Sequence, residues 1–133
     1  MSYLLDTNIC SAYLKQPGKV AHRFFQHSGG LFTSTIVLAE LYTWAYRREN
    51  PNNLLQLIET ELLHNLILID FDRNCARQFG NLRAATLNKG LVINPIDLLI
   101  ASVALTNNLT LVTHNVRHFQ VIESLRIEDW LEG

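Results

Sequence analysis

Short apolar runs alternate with longer segments of helical spacing, and this alternation constrains the fold of the 133-residue chain more than any other feature. A short apolar run fits a buried strand, whereas apolar residues that recur at helical spacing fit an amphipathic helix. Strands that alternate with helices indicate an α/β domain with a mostly parallel sheet. The predicted strands cover residues 3–5, 31–33, 66–69, 109–112 and, as a short fifth, 126–128.

The segments between these runs are predicted to be helices with recognisable ends. Ser34 is placed to cap the helix that follows the second strand, and Asn94 with Pro95 marks the start of a late helix. Gly90 supplies a C-terminal stop. The predicted helices cover residues 8–15, 19–27, 35–48, 51–64, 72–88 and 95–106.

Length and composition fit one domain, which we predict to span residues 1–133, with 48% apolar residues to fill its core. The 11 basic and 12 acidic residues give a net charge of -1, so any contact with a polyanion must be local. Cys10 and Cys75 lie on predicted helix faces and are expected to be buried and reduced. No signal peptide or membrane span is evident, so we expect a cytoplasmic protein.

Three acidic residues lie inside apolar stretches, where a solvated charge is not expected. Asp6 follows the first strand, Glu40 lies about two turns into the helix after the second strand, and Asp97 is in the first turn of a late helix. Ligands of parallel sheets bind beyond the carboxyl ends of the strands. We therefore predict that these acids face one crevice, together with Thr113 at the end of the fourth strand.

Simpler interpretations of each acid remain open. Asp97 sits where a carboxylate complements the helix dipole, and Asp6 is placed to cap the first helix. Glu40 fits a solvated surface poorly, because Ile36 and Trp44 lie one turn away on either side. The three acids together are more informative than any one of them. A buried carboxylate is costly unless it is paired or binds a metal, and several in one crevice favour a metal.

Oxygen ligands of this kind suit a hard divalent cation, Mg²⁺ or Mn²⁺. Such a cation lowers the pKa of a bound water and neutralises the charge that develops on a phosphodiester. The predicted chemistry is therefore hydrolysis of a nucleic-acid backbone.

Several motifs together carry a family resemblance that spans nearly the whole chain. They are Leu5-Asp6-Thr7-Asn8, Ser34 through Glu40-Leu41, Pro95-Ile96-Asp97-Leu98-Leu99-Ile100-Ala101, Leu111-Val112-Thr113-His114-Asn115 followed by Phe119, and Ile127-Glu128-Asp129-Trp130-Leu131. In their order and spacing the chain resembles PIN-domain ribonucleases, and more narrowly the VapC-type toxins of bacterial toxin–antitoxin pairs. The resemblance implies a three-layer sandwich whose mostly parallel sheet has four to five strands and helices on both faces.

The resemblance also implies a function and a set of site residues. The chain is expected to be a metal-dependent endoribonuclease, with Asp6, Glu40 and Asp97 as the acids that bind Mg²⁺ or Mn²⁺. Its expected partners are an RNA substrate, a cognate antitoxin and a second copy of the chain in a homodimer, with operator DNA reached only through the antitoxin. Thr7 and Asn8 are candidates for supporting contacts.

One position departs from the family pattern. Many members carry a fourth acid just after strand four, but residues 113–119 of this chain contain none. Asn115 and His118 occupy the corresponding positions and are further candidates for supporting roles. His114 and His118 are equally open to interpretation as a pair of loop histidines without a role. The missing acid keeps an alternative function open, that of a catalytically weak or silent PIN-like protein that binds a partner or RNA.

Basic and aromatic residues suggest where partners bind. Candidate RNA contacts are Arg47, Arg73, Arg77 and Arg117, although a solvated surface is the default interpretation of a basic stripe such as that of Arg73 and Arg77. Tyr13, Tyr42, Trp44 and Tyr46 fit either core packing or anchors for the antitoxin. A flavodoxin-like ligand-binding domain is disfavoured, because no glycine-rich phosphate loop follows the first strand.

Overall fold

The sheet of this protein has five parallel strands in the order β3-β2-β1-β4-β5, as seen in a computed structural model that describes residues 1–132. The strands are β1 (Tyr3–Leu5), β2 (Leu31–Ser34), β3 (Ile67–Ile69), β4 (Thr110–Val112) and β5 (Ile127–Glu128). Helices on both faces complete a three-layer α/β sandwich. The predicted fold class and all five predicted strands are confirmed.

Helices connect and cover the strands. They are α1 (Thr7–Lys15), α2 (Ala21–Gln26), α3 (Thr35–Tyr46), α4 (Asn52–Leu57), α5 (Arg73–Asn88), α6 (Pro95–Thr106) and α7 (Val116–Phe119), with a 3-10 turn at Pro17–Lys19. The long helices lie where the sequence predicts them. Their starts are fixed by side-chain caps: the Ser34 hydroxyl accepts from the Val37 N–H at 3.2 Å, and the Asn94 side chain accepts from the Ile96 N–H at 2.8 Å.

Two helices differ from the prediction. The predicted helix over 51–64 is regular only in α4 and continues as a π-helical turn (Ile58–Leu62) and a 3-10 turn (Leu63–Asn65). The wider π-helical turn still buries Ile58 and Leu62 completely. Packing of these side chains in the core therefore outweighs the loss of the regular α-helical hydrogen bonds. Helix α7 was not predicted, because a single turn is too short to show helical spacing.

The core surrounds the central strand β1. Leu4 and Leu5 are completely buried, and each such side chain contributes about 1.5–3 kcal/mol by leaving water. Cys10 and Cys75 are buried and free, as predicted, and burial raises the pKa of the Cys10 thiol to about 12. Within residues 1–132, no helix combines the length and apolar character needed to cross a bilayer.

Candidate metal centre

The strand order reverses between β1 and β4, the place where a parallel sheet forms a crevice beyond its carboxyl ends. Asp6 directly follows β1 and Thr113 directly follows β4. The Asp6 N–H donates to the Val112 carbonyl at 2.9 Å, which extends the pairing of the two strands into the crevice. The central strands thereby fix the backbone that carries both side chains.

The Asp6 carboxylate is held on both of its oxygens. Oδ1 accepts from the Thr7 N–H at 2.8 Å, and Oδ2 accepts from the Thr113 hydroxyl at 2.7 Å. The first contact makes Asp6 the N-cap of α1, so the capping interpretation of this residue is confirmed. The same carboxylate lies at the sheet edge where a site is expected, so capping does not compete with a role there.

Asp6 is only 4% exposed, and this burial has the largest influence on its pKa. Burial raises the pKa of Asp6, the hydrogen bonds from Thr113 and Thr7 oppose this, and repulsion by Asp97 and Glu40 raises the pKa further. Within residues 1–132, the ion pairs closer than 4.0 Å both use histidines, so no lysine or arginine compensates Asp6. Three carboxylates therefore converge without a lysine or an arginine between them.

Glu40 joins this network through α1. Its Oε1 accepts from the Thr7 hydroxyl at 2.5 Å, while the N–H of Thr7 donates to Asp6. The Ser34 cap fixes where α3 begins, and this start places Glu40 on the turn that meets Thr7. One residue, Thr7, thus links two of the three predicted acids.

Asp97 lies on the more open side of the crevice. Its Oδ2 is 3.1 Å from Nδ1 of His118 on α7, and the two side chains are 17% and 57% exposed, respectively. Both line a surface cavity of about 280 Å³ together with Arg117. The capping contact at the start of α6 belongs to Asn94, which leaves the Asp97 carboxylate free for the crevice.

The Thr113 hydroxyl organises the remaining candidates. It accepts from the Asn115 N–H at 3.0 Å and lies 3.5 Å from the Asn8 side-chain nitrogen, while it donates to Asp6. The Asn8 side-chain oxygen accepts from the His114 N–H at 3.1 Å. Asn8 and Thr113 therefore hold the loop after β4 against the start of α1, and Asn115 takes part through its backbone.

Comparison with known proteins places this chain in a family. The PIN domain model matches residues 3–124. The chain is 36% identical to ribonuclease VapC2 of Haemophilus influenzae over 132 residues, which cover 98% of this chain and 99% of the relative. It is 34% identical to the tRNA(fMet)-specific endonuclease VapC of Shigella flexneri, with 98% of both chains covered. The chain belongs to the VapC group of PIN-domain proteins.

A solved structure agrees with this assignment in detail. The crystal structure of VapBC2 from Rickettsia felis bound to a DNA fragment from their promoter superposes on this protein with a TM-score of 0.91. The two chains are 34% identical, and the match covers 98% of this chain and 99% of the other. The resemblance seen in the sequence motifs is confirmed at the level of both family and fold.

The missing fourth acid has a visible counterpart in this PIN domain. His118, one of the two residues at the corresponding positions, points its Nδ1 at Asp97. Asn115 instead turns its backbone N–H toward Thr113. His118 therefore touches one of the three acids, and its role in the site stays a prediction.

The four candidate arginines lie in different places. Arg117 lines the cavity beside Asp97, whereas Arg77 lines a separate cavity with Leu105 and Thr106. Thr106 is nine residues after Asp97 on α6, which corresponds to about 13 Å along the helix at 1.5 Å per residue. Arg73 is the exposed first residue of α5, and Arg47 is exposed at the end of α3. Arg117 alone of the four shares a cavity with one of the acids, and their RNA contacts stay predictions.

A further set of potential metal ligands escaped the sequence analysis. Atoms of His114, Asp129 and Glu132 lie within 4.8 Å of one another. His114 Nδ1 is 3.0 Å from Asp129 Oδ2, and Asp129 Oδ1 accepts from the Leu131 N–H at 2.9 Å. These bonds account for Asp129 without a metal. Only the pairing of β4 with β5 brings it beside His114, and local sequence carries no signal of that contact.

Proposed function

We propose that Asp6, Glu40 and Asp97 bind a divalent cation, Mg²⁺ or Mn²⁺, and that the chain uses it to hydrolyse RNA phosphodiester bonds. The family assignment supports the coarser statement, an endoribonuclease of the toxin–antitoxin type. The identity of the metal and of the residues that hold it is the finer proposal. It rests on the geometry of the crevice.

One observation carries the metal proposal. Asp6 is buried beside two further carboxylates, and within residues 1–132 no lysine or arginine nitrogen lies within 4.0 Å of any of the three. A buried charge without a partner is costly, whereas oxygen ligands of this kind suit a hard cation. The donor set therefore fits Mg²⁺ or Mn²⁺.

Each residue has a defined task in this proposal. Asp6 supplies the most rigid ligand, because Thr7 and Thr113 fix its two oxygens. Thr7 orients Glu40, and His118 orients Asp97. When bound, the cation supplies the acidity that makes water a nucleophile at neutral pH and the charge that neutralises the phosphate. Thr7, Thr113 and His118 are positioning residues.

We also propose the partners that the family suggests. VapBC complexes superpose on this chain, which supports a cognate antitoxin as a partner. We further propose that the chain forms a homodimer and that it contacts operator DNA only through the antitoxin. We also propose a cytoplasmic location. The relative from Shigella flexneri is named as an endonuclease specific for one tRNA. For this chain we propose only the substrate class, RNA, and no particular target sequence.

The alternative, a silent PIN-like protein that acts by binding, is favoured by one feature, the histidine at position 118 in place of an acid. A weakened site is expected to work better with Mn²⁺ than with Mg²⁺. Mn²⁺ is less strict about geometry and accepts nitrogen ligands more readily.

A nuclease assay separates the two functions. We expect the wild-type chain to cleave RNA in Mn²⁺ at least as fast as in Mg²⁺, and EDTA to stop cleavage. Asp6→Asn and Asp97→Asn are each expected to abolish cleavage and the growth arrest caused by expression, and Glu40→Gln to impair both severely. Cleavage at the wild-type rate by both aspartate variants, with circular dichroism showing intact folds, would refute the metal-site assignment. No cleavage by wild type in either metal would favour the silent alternative.

A further inference from the structure

A surface groove leads away from the acid crevice along α1. Its lining includes Asn8 and Lys15 of α1, Lys19 of the following 3-10 turn, and His114 and Leu131, and its volume is about 280 Å³. The inner end belongs to the crevice, because Asn8 accepts from the His114 N–H and lies beside Thr113. Lys15 is seven residues beyond Asn8, which is about 10 Å along the helix.

The outer end of this groove carries uncompensated positive charge. Lys15 and Lys19 are exposed. Trp44 on α3 lies beside Lys15, with Lys15 Nζ 4.9 Å and Arg48 Cζ 5.5 Å from its ring centroid. Among residues 1–132, no carboxylate lies within 4.0 Å of a lysine or arginine nitrogen, since both close ion pairs use histidines. This concentration of charge is local, because the whole chain has a net charge of -1.

We propose that this groove binds the backbone of single-stranded RNA that flanks the cleaved bond. Lys15 and Lys19 would contact phosphates, and Trp44 holds Lys15 and Arg48 at the outer end by cation–π contacts. The inference rests on the proposed nuclease function, since the groove opens into the acid crevice. The carboxylates of the crevice repel the RNA backbone. Attraction for the RNA must therefore come from cationic side chains along the flanking strand, here Lys15 and Lys19.

The lining favours RNA over a protein partner. A protein interface usually centres on large apolar or aromatic anchors in pockets. Leu131 is the one large apolar residue of this groove, and the remaining lining is polar or cationic apart from Ala12. The groove therefore matches the charged track of a single-strand binding surface better than it matches a docking pocket.

The test measures RNA binding without cleavage. The full chain is titrated in EDTA against a fluorescein-labelled, single-stranded RNA of mixed sequence, and Kd is read from anisotropy between about 50 and 200 mM salt. We expect the double variant Lys15→Ala, Lys19→Ala to bind roughly tenfold more weakly. The slope of log Kd against log salt should fall by about 1.4, because each phosphate contact to a single strand contributes about 0.7. Both lysines are exposed, so folding should be unaffected.

A matched control removes the same charge elsewhere. Arg83 lies on α5 and Lys89 is the C-cap residue of that helix, where it lines a different cavity with Thr86 and Glu123. Arg83→Ala, Lys89→Ala should bind RNA within about twofold of wild type and keep the wild-type salt slope. An equal loss in the two double variants would mean a general charge effect and would overturn the groove.

Other outcomes also decide the matter. Wild-type binding by the Lys15→Ala, Lys19→Ala variant would overturn the proposal, as would the absence of saturable binding by the wild-type chain. If that variant bound RNA normally but escaped neutralisation by the antitoxin, the groove would be an antitoxin contact instead. A parallel cleavage assay in Mn²⁺ keeps the two proposals apart, because wild-type cleavage alone tests the nuclease function. Binding in EDTA alone tests the groove.

Discussion

Asp6 and Asp97 carry the same carboxylate group in opposite surroundings. Asp6 is 4% exposed and receives hydrogen bonds on both oxygens, from Thr7 at 2.8 Å and from Thr113 at 2.7 Å. Asp97 has a side chain that is 17% exposed and contacts His118, whose own side chain is 57% exposed. One acid is fixed by the centre of the sheet and the other by a single-turn helix at the surface.

This difference separates two tasks within one site. A ligand held by packed strands and buried hydrogen bonds keeps its position when the metal leaves, which lowers the cost of binding. A ligand whose neighbour is exposed can adjust, and substitutions beside it change affinity without disturbing the core. We therefore expect the residues around Asp6, here called the Asp6 side, to determine how tightly any cation binds. The residues around Asp97, the Asp97 side, should tune which cation is preferred.

Among substitutions outside the three acids, the largest effect should follow the loss of the Thr113 hydroxyl. Thr113→Val keeps the shape but removes the hydrogen bond to Asp6 Oδ2, leaving a buried acceptor unsatisfied at a cost of about 1–3 kcal/mol. Partners that orient metal ligands are typically worth about 10- to 100-fold in affinity. We expect Mn²⁺ affinity to fall within that range in calorimetric titration and the melting temperature in EDTA to fall as well.

Thr33→Val is the matched control for this variant. Thr33 is equally buried, and its hydroxyl donates to a backbone carbonyl, that of Leu5 at 2.9 Å, rather than to a carboxylate. The control should lose stability but keep the Mn²⁺ affinity of wild type. Equal losses of affinity in the two variants would show that general destabilisation, rather than the Asp6 contact, weakens the site.

The Asp6 side was largely predictable from sequence, for a physical reason. Asp6 and Thr113 each follow an apolar run, and the ends of parallel strands meet at one sheet edge. Local pattern thus determined where these residues lie. The double hydrogen bonding of Asp6 was not predictable, because it depends on side-chain directions that no periodicity reports.

The Asp97 side was predicted less completely. Asn94 and Pro95 indicated the start of α6 and hence the position of Asp97. Helix α7 escaped prediction, so the contact between His118 and Asp97 did too. Asp129 was missed because only the register of β4 and β5 brings it to His114. Contacts made by short elements distant in sequence leave no local pattern.

The second prediction sharpens the tuning role of the Asp97 side. His118→Asp restores an acid at a position next to Asp97, and we expect Mg²⁺ to bind about tenfold more tightly by calorimetry, because a hard cation prefers oxygen ligands. His118→Asn is the control, since it removes the imidazole without adding charge and should not tighten binding. Asn115→Asp is a weaker candidate, because Asn115 meets the site through its backbone. Unchanged Mg²⁺ affinity in both aspartate variants would place the fourth position outside the site.

The third prediction concerns pH and the burial of Asp6. Burial raises the pKa of Asp6 above its ordinary value, so the folded state binds this proton more tightly than the unfolded state does. The stability that this proton brings is present below the unfolded pKa and is lost as pH rises through the folded pKa. Asp6→Asn does not titrate, so in EDTA its melting temperature relative to wild type should increase from about pH 4 to pH 7.

The same pair of proteins also tests the bound cation. Saturating Mn²⁺ should reverse the order at neutral pH, since wild type gains a bound cation that Asp6→Asn lacks. A relative melting temperature of Asp6→Asn that falls as pH rises would contradict the buried, uncompensated carboxylate.

The smallest predicted effect is the stability of Asp97→Asn without metal. Two unit charges about 8 Å apart at an effective dielectric of about 20 repel by roughly 2 kcal/mol. The opposing terms are the helix-dipole benefit of Asp97, at most about 1 kcal/mol, and its exposed contact with His118, which asparagine can partly keep. Repulsion should win narrowly, so Asp97→Asn in EDTA at neutral pH should melt a few degrees higher than wild type. It should also lose the stabilisation that wild type gains from Mn²⁺.

Asp72→Asn is the control, because Asp72 also starts a helix but caps it through the Cys75 N–H at 2.9 Å, and this bonding lowers the pKa of Asp72. The loss of that favourable charge should leave its melting temperature equal to or below that of wild type, with the response to Mn²⁺ unchanged. If Asp97→Asn behaved like Asp72→Asn in both respects, Asp97 would be a helix-start residue rather than a metal ligand. The contrast between the two sides of the site would then reduce to Asp6 alone.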